Sequence, residues 1–160
     1  MLTENEIQKK SQSYMKAQAS AMLAIVIAAI VDHYWVTQFP FTASLVAIGA
    51  LLTLSGAVLL MISLRKLGPS LTPEPIPKLG GILVTSGIYS FCRHPIYLAI
   101  LLASAGWVIA FSSAIGVAIF GILFISLLEK AKFEENLLLK KFGTAYKEYC
   151  GRVGRFLPKT

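Results

Sequence analysis

The chain of 160 residues is 56% hydrophobic and only 14% charged, with a mean hydropathy of +0.68. Soluble domains carry about 25% charged residues, so the composition excludes an ordinary water-soluble domain and points to an integral membrane protein, read as one compact unit. The net charge of +7 would suit nucleic acid, but its distribution excludes that partner. The 15 Lys and Arg fall in three blocks, residues 9–16, 65–93 and 130–159. If each basic-free interval is a helical hairpin, all the positive charge lies on one side. The positive-inside rule makes that side cytoplasmic, with both termini on it. Cys92 and Cys150 fall in the same blocks and are too isolated for a disulfide frame or a zinc site, so no metal is expected.

In chain order, residues 1–16 read as a polar surface helix, with Thr3 and Glu6 at capping-box spacing. Residues 17–36 read as the first span, retained rather than cleaved. Asp32, His33, Tyr34 and Trp35 at its far end read as interfacial polarity and an aromatic belt. Phe39-Pro40 reads as the turn. Residues 41–64 read as the second span, with Gly49, Ser55, Gly56 and Ser63 as small residues permitting close helix approach. In residues 65–86, Gly68-Pro69, Pro73-Glu74-Pro75-Ile76-Pro77 and Gly80-Gly81 make a stiff, extended connector. Pro95 reads as a helix start, since proline at the first turn forfeits no hydrogen bond. Residues 96–111 and 114–128 then form a second hairpin of short spans, turning at Ser112-Ser113. Residues 129–150 read as an amphipathic helix. On a wheel of about 100° per residue, Leu137, Leu138, Phe142, Ala145 and Tyr149 share a stripe, with Glu134 and Glu135 within about 60° of its centre. The tail, residues 151–158, is basic and suits anionic lipid headgroups.

The expected architecture is therefore an all-α membrane protein of about four transmembrane helices in two hairpins, plus a cytoplasmic C-terminal amphipathic helix. It divides into residues 1–64, the polar helix and first hairpin, and residues 65–160, the connector, second hairpin and last helix. The polar residues converge on Tyr89, Arg93, His94 and Tyr97 near the connector, with Glu134 and Glu135 from the last helix. A carboxylate suits an ammonium, arginine suits a carboxylate or phosphate, and aromatics suit a purine or an onium centre. That set fits a zwitterionic, aromatic, cationic cofactor better than a simple ion.

Gly87-Ile88-Tyr89-x-x-x-Arg93-His94-Pro95-x-Tyr97, followed by Glu134-Glu135-x-x-Leu138-x-x-x-Phe142-Gly143-x-x-Tyr146-x-x-Tyr149 and Arg155-Phe156-Leu157-Pro158, resembles the isoprenylcysteine carboxyl methyltransferase family. That family shares its C-terminal signature with the membrane phospholipid methyltransferases. The resemblance covers residues 65–158. It implies an integral membrane methyltransferase that uses S-adenosylmethionine on a lipophilic or lipid-modified acceptor, the carboxyl of an isoprenylcysteine-like substrate first. It also implies cofactor contacts from Glu74, Gly81, Ile82, Leu83, Val84, Tyr89, His94, Pro95, Tyr97 and Glu134. Arg93 or Lys130 would place the acceptor, and Glu135 or His94 would serve as base for an amine acceptor. The sequence departs from the family pattern at Glu74, where the prenylcysteine enzymes carry Gln, at Gly81, where they carry His, and at Lys130, where they carry Arg. A phospholipid amine N-methyltransferase, an NADPH-dependent membrane reductase of the sterol type and a non-enzymatic membrane protein are the competing readings.

Overall fold

A computed structural model describes residues 3–36, 42–72, 74–78 and 80–159. The turn assigned to Phe39-Pro40, the first residue of the second expected span, Phe41, and Pro73 of the connector lie outside these. The described chain is helical, with no strand beyond an isolated bridge between Cys92 and Gly154.

α1 runs without interruption from Glu4 to Val31, so the polar helix and first span are one element. The capping box forms: Glu6 N donates to Thr3 Oγ1 at 3.3 Å and Thr3 N donates to the Glu6 carboxylate at 2.7 Å. A π-helical turn, Asp32–Val36, follows. α2 is Ala43–Leu67, entered through a Thr42 cap and ended at Gly68, where φ is +50°. α3 is Pro95–Ala110, beginning at the proline that marked it, and α4 is Ala114–Phe142. The helix expected over 129–150 does run on from the last span within α4, but its end is corrected, since α4 stops at Phe142. It is continuous for 29 residues because nothing in 114–142 breaks it. Gly143, at φ +54°, does, and α5 (Thr144–Arg152) departs on a new axis that takes Ala145 off the expected stripe.

α1, α2 and α4 are each long and apolar enough to cross a membrane, whereas α3 has 16 residues. The exterior agrees with a lipid solvent: Leu51 is 67% exposed, Leu23 and Ile125 62% each, and Ile122 63%. A water-soluble bundle would turn such side chains inward. The chain is an integral membrane protein.

The pairing of helices departs from two sequential hairpins. α2 packs chiefly on α3, and α1 chiefly on α4, with α3 between them. Backbone shape drives the first pairing. A Cβ on Gly56 would lie 2.7 Å from Ala99 O and from Ala103 N, and a Cβ on Gly106 would lie 2.5 Å from Gly49 O. Between apolar helices in lipid, where no hydrophobic effect drives association, such close approach supplies the dispersion that holds them together. Thr53 Oγ1 adds a hydrogen bond to Ala103 O at 3.3 Å. Gly49 and Gly56 are thus spent inside the chain, while the Ser55 hydroxyl donates back to Leu51 O at 2.7 Å within its own helix.

Asp32 drives the second pairing. It is fully buried rather than an interfacial polar group. Its Oδ2 accepts from Ser113 Oγ at 2.8 Å and from Ile115 N at 3.1 Å. The carboxylate therefore sits at the start of α4, where free N–H groups and the helix dipole favour negative charge. Asp32→Ala should remove this anchor and lower stability by roughly 1.5–3 kcal/mol, the value of hydrogen bonds to a charged group. Asp32→Asn, which keeps an acceptor, should lose less. Thermal unfolding in detergent measures both.

Candidate active site

The end of the bundle opposite Asp32 is assembled from three stretches far apart in sequence. The connector after α2 comes first. Thr72 Oγ1 donates to Glu74 O (2.7 Å) and Ile76 O (3.1 Å), folding the proline-rich segment back on itself. The Glu74 carboxylate accepts from Gln8 Nε2 at 3.1 Å and Ser11 Oγ at 3.4 Å, so the N-terminal turns of α1 close over the connector. Lys141 at the end of α4 donates to Lys78 O, and Ile82 N donates to Ser70 Oγ at 3.3 Å.

The Arg93-His94-Pro95 stretch comes second. Gly87 takes φ +66° to enter the 3₁₀ turn Gly87–Ser90. The chain then pairs with the tail: Arg93 N donates to Gly154 O (2.9 Å) and His94 N to Arg155 O (3.0 Å). The C-terminal part of α4 is third. Glu134 Oε2 accepts from Tyr97 Oη at 2.7 Å and lies 3.6 Å from His94 Nδ1. His94 is buried and stacks on Tyr97, ring centroids 5.2 Å apart and planes 4° from parallel.

Between them lies a cavity of about 250 Å³. All ten residues expected to touch the cofactor line it: Glu74, Gly81, Ile82, Leu83, Val84, Tyr89, His94, Pro95, Tyr97 and Glu134. Of the three expected to act on the acceptor, Lys130 lines it and Arg93 and Glu135 do not. Those two meet behind the wall. Glu135 Oε1 lies 2.9 Å from Arg93 Nη2 and 3.1 Å from His94 Nε2, and the carboxylate takes both Arg155 Nε (2.9 Å) and Nη2 (2.6 Å). Adjacent on one helix, the two glutamates face different partners: Glu134 the cavity, Glu135 an arginine pair.

Lys130 is 5% exposed. Its ammonium donates to Gln18 Oε1 at 2.6 Å and sits 5.1 Å above the Tyr97 ring. Gln18 was missed by sequence reasoning. Its signal was present: it is the one long polar side chain between Lys16 and Asp32. Tyr146 and Tyr149 also line the cavity, although the motif spacing gave them no role. Tyr149 Oη donates to Tyr89 O at 2.5 Å, which holds the 3₁₀ turn against α5. Burial pushes the phenols of Tyr89, Tyr146 and Tyr149 well above the ordinary tyrosine range. They stay protonated at neutral pH and act as hydroxyl donors and acceptors.

Comparisons with known proteins identify the family. A family profile described as phospholipid methyltransferase matches residues 44–145, well over half the chain. The chain belongs to that family. Among curated proteins it is 28% identical over 159 residues to protein-S-isoprenylcysteine O-methyltransferase B of Arabidopsis thaliana, covering 89% of this chain and 74% of that one. It is 26% identical over 161 residues to the protein-S-isoprenylcysteine O-methyltransferase of Saccharomyces cerevisiae, covering 98% and 67%. For the Dictyostelium discoideum enzyme of the same name the figures are 27% over 143 residues, 85% and 60%. The resemblance carried by the Arg93-His94-Pro95-x-Tyr97 and Glu134-Glu135 motifs holds, and the chain is a membrane methyltransferase. The reductase and non-enzymatic readings are set aside.

Tyr149→Phe should leave the Tyr89 carbonyl buried without its donor and lower stability by about 1–3 kcal/mol. Thermal unfolding, with S-adenosylmethionine affinity measured alongside, checks this.

Proposed function

We propose that the chain methylates the carboxylate of an isoprenylcysteine-like, lipid-modified acceptor, with S-adenosylmethionine as donor. The observation that carries the reading is the cavity's polarity. It has a carboxylate, Glu134, at the His94 wall and a buried ammonium, Lys130, at the wall formed by α1 and α4. Its lining also includes Tyr89, whose hydroxyl is buried and has no hydrogen-bond partner among the described residues. Buried hydroxyls normally have partners, so this one favours a polar ligand that supplies it. The names of the curated relatives supply the acceptor class.

The donor would be held by Glu134 and His94 toward its charged end, by the backbone of residues 81–84, and by Tyr89, Pro95 and Tyr97 against its ring. When bound, it supplies an electrophilic methyl group on a sulfonium. The chain's own residues then have two tasks. Lys130, held on Gln18, offers a point charge to an acceptor carboxylate and so fixes its distance from the Glu134 side. The aliphatic lining, with Leu83, Ile96 and Ile100, keeps water from that carboxylate. A carboxylate of ordinary pKa is already deprotonated at neutral pH, so no general base is required. In this reading Arg93 and Glu135 stand behind His94 and do not touch the acceptor.

The orientation follows from the same end of the molecule. The Gln8–Glu74 contact, the connector and the tail group the basic blocks with the cavity. The positive-inside rule then puts the site and both termini in the cytoplasm. Ser113, just after α3, bonds Asp32 at the far end of α1, which supports α3 as a fourth crossing despite its length. The acceptor's lipid would arrive from the bilayer, in which it is already dissolved.

Calorimetric titration of S-adenosylmethionine should show clear loss of affinity in both Glu134→Ala and His94→Ala, and unchanged affinity in the two variants would sink the site assignment. A second measurement separates carboxylate from amine acceptors, the amine reading being the one the family's description favours. Membranes given methyl-labelled donor and a farnesylcysteine acceptor should form a product that releases labelled methanol in mild alkali. Label surviving alkali on a phospholipid headgroup would overturn the carboxylate in favour of the amine.

A further inference from the structure

His94 is one of two histidines in the chain, and each of its ring nitrogens faces a different carboxylate. Nε2 is 3.1 Å from Glu135 Oε1 and Nδ1 is 3.6 Å from Glu134 Oε2. The two acceptors are not equivalent. Glu135 sits between Arg93, at 2.9 Å, and the two-pronged Arg155 fork, at 2.9 and 2.6 Å. Two guanidiniums hold it as an ionised carboxylate, which can only accept. Nε2 must then bring the proton to that contact. Glu134 is different: it lines the cavity, its Oε2 is taken by the Tyr97 hydroxyl at 2.7 Å, and 3.6 Å is too long for a hydrogen bond to Nδ1.

The ring has little freedom to exchange these roles. It is 6% exposed, stacked on Tyr97, and has Phe156 edge-on with centroids 6.3 Å apart. The tail that delivers Arg155 is fixed by the backbone bonds from Arg93 N and His94 N to Gly154 O and Arg155 O. Gly154 has no room for a side chain, since a Cβ there would overlap the Leu157 backbone oxygen. The tail therefore closes behind the histidine rather than lying loose on lipid.

We propose that Glu135 and Arg155 are positioning residues that lock His94 as the Nε2–H tautomer, so that Nδ1 presents a lone pair beside Glu134 at the cavity wall. Nδ1 and the Glu134 carboxylate then form a paired acceptor for the ammonium or N–H end of a ligand. That last use rests on the donor assignment above, but the tautomer does not. The charged and titratable groups facing the ring are Glu134 and Glu135 from α4 and Tyr97 from α3. Arg93, Arg155 and, from α5, Tyr146 stand next to Glu135.

The test reads the ligand-free tautomer directly. Full-length His33→Gln protein, labelled with ¹⁵N-histidine and held in detergent micelles at about pH 8, carries His94 as its sole histidine. Its ¹⁵N spectrum should show Nε2 protonated and Nδ1 bare. The Nδ1–H tautomer, or both nitrogens protonated, would overturn the proposal whatever the enzyme's substrate proves to be. Glu135→Gln offers the ring an amide that can donate as well as accept. It should bring in the Nδ1–H form and weaken S-adenosylmethionine binding by roughly tenfold, the value of about one hydrogen bond. A folded Glu135→Gln protein that keeps both the tautomer and the affinity would also overturn it. If that variant does not fold, the spectrum of the single-histidine protein decides alone. Retained tautomer with lost donor binding in an otherwise folded Glu134→Ala variant would separate the positioning role from the donor assignment.

Discussion

The Glu135 carboxylate ties together three parts of the chain behind the polar wall of the cavity. It sits on α4, takes Arg93 and His94 from the segment before α3, and takes Arg155 from the tail. A carboxylate withdrawn from water is costly unless it is paired, and removing one partner leaves the rest exposed to that cost. With two guanidiniums and an imidazole the pairing is complete. Arg155 is correspondingly held more firmly protonated by its bond to Glu135. Everything the cavity needs at its polar wall follows: the place of the His94 ring, the stack on Tyr97, and the direction of Glu134.

The apolar body of the protein serves this end by holding helices where loops alone could not. α2 and α3 approach through Gly49, Gly56 and Gly106 until their backbones touch. Asp32 fixes α1 to the start of α4. The pairing of α1 with α4 brings Gln18 to Lys130, and the pairing of α2 with α3 hangs the connector over the space between. The cavity is thus a product of helix pairing at one end of a membrane bundle, where ligand sites between helices are common.

A lipid environment explains which of these features were legible in the sequence. Long apolar runs, the Thr3–Glu6 cap and the Pro95 helix start are local, and each formed as expected. The ten residues that the family resemblance assigns to the donor all line one cavity. The roles of Arg93 and Glu135 were not legible. Adjacent residues on a helix point about 100° apart, and the wheel placed Glu134 and Glu135 near one stripe without showing what stood opposite. Arg155, 20 residues on, decided that Glu135 turns away from the cavity. Asp32 read as interfacial because its partners, Ser113 and Ile115, lie more than 80 positions away.

By itself, then, the sequence determined the solvent, the helix starts and the family, since all three are written in composition, periodicity and short motifs. Tertiary structure decided which helices pair, that α4 ends at Phe142, that Gln18 lines the cavity, and that one of two neighbouring glutamates faces the cavity while the other holds Arg155 of the tail. These depend on distances between residues remote in the chain, and where the lipid-facing sides of the helices are apolar too, no periodicity records them.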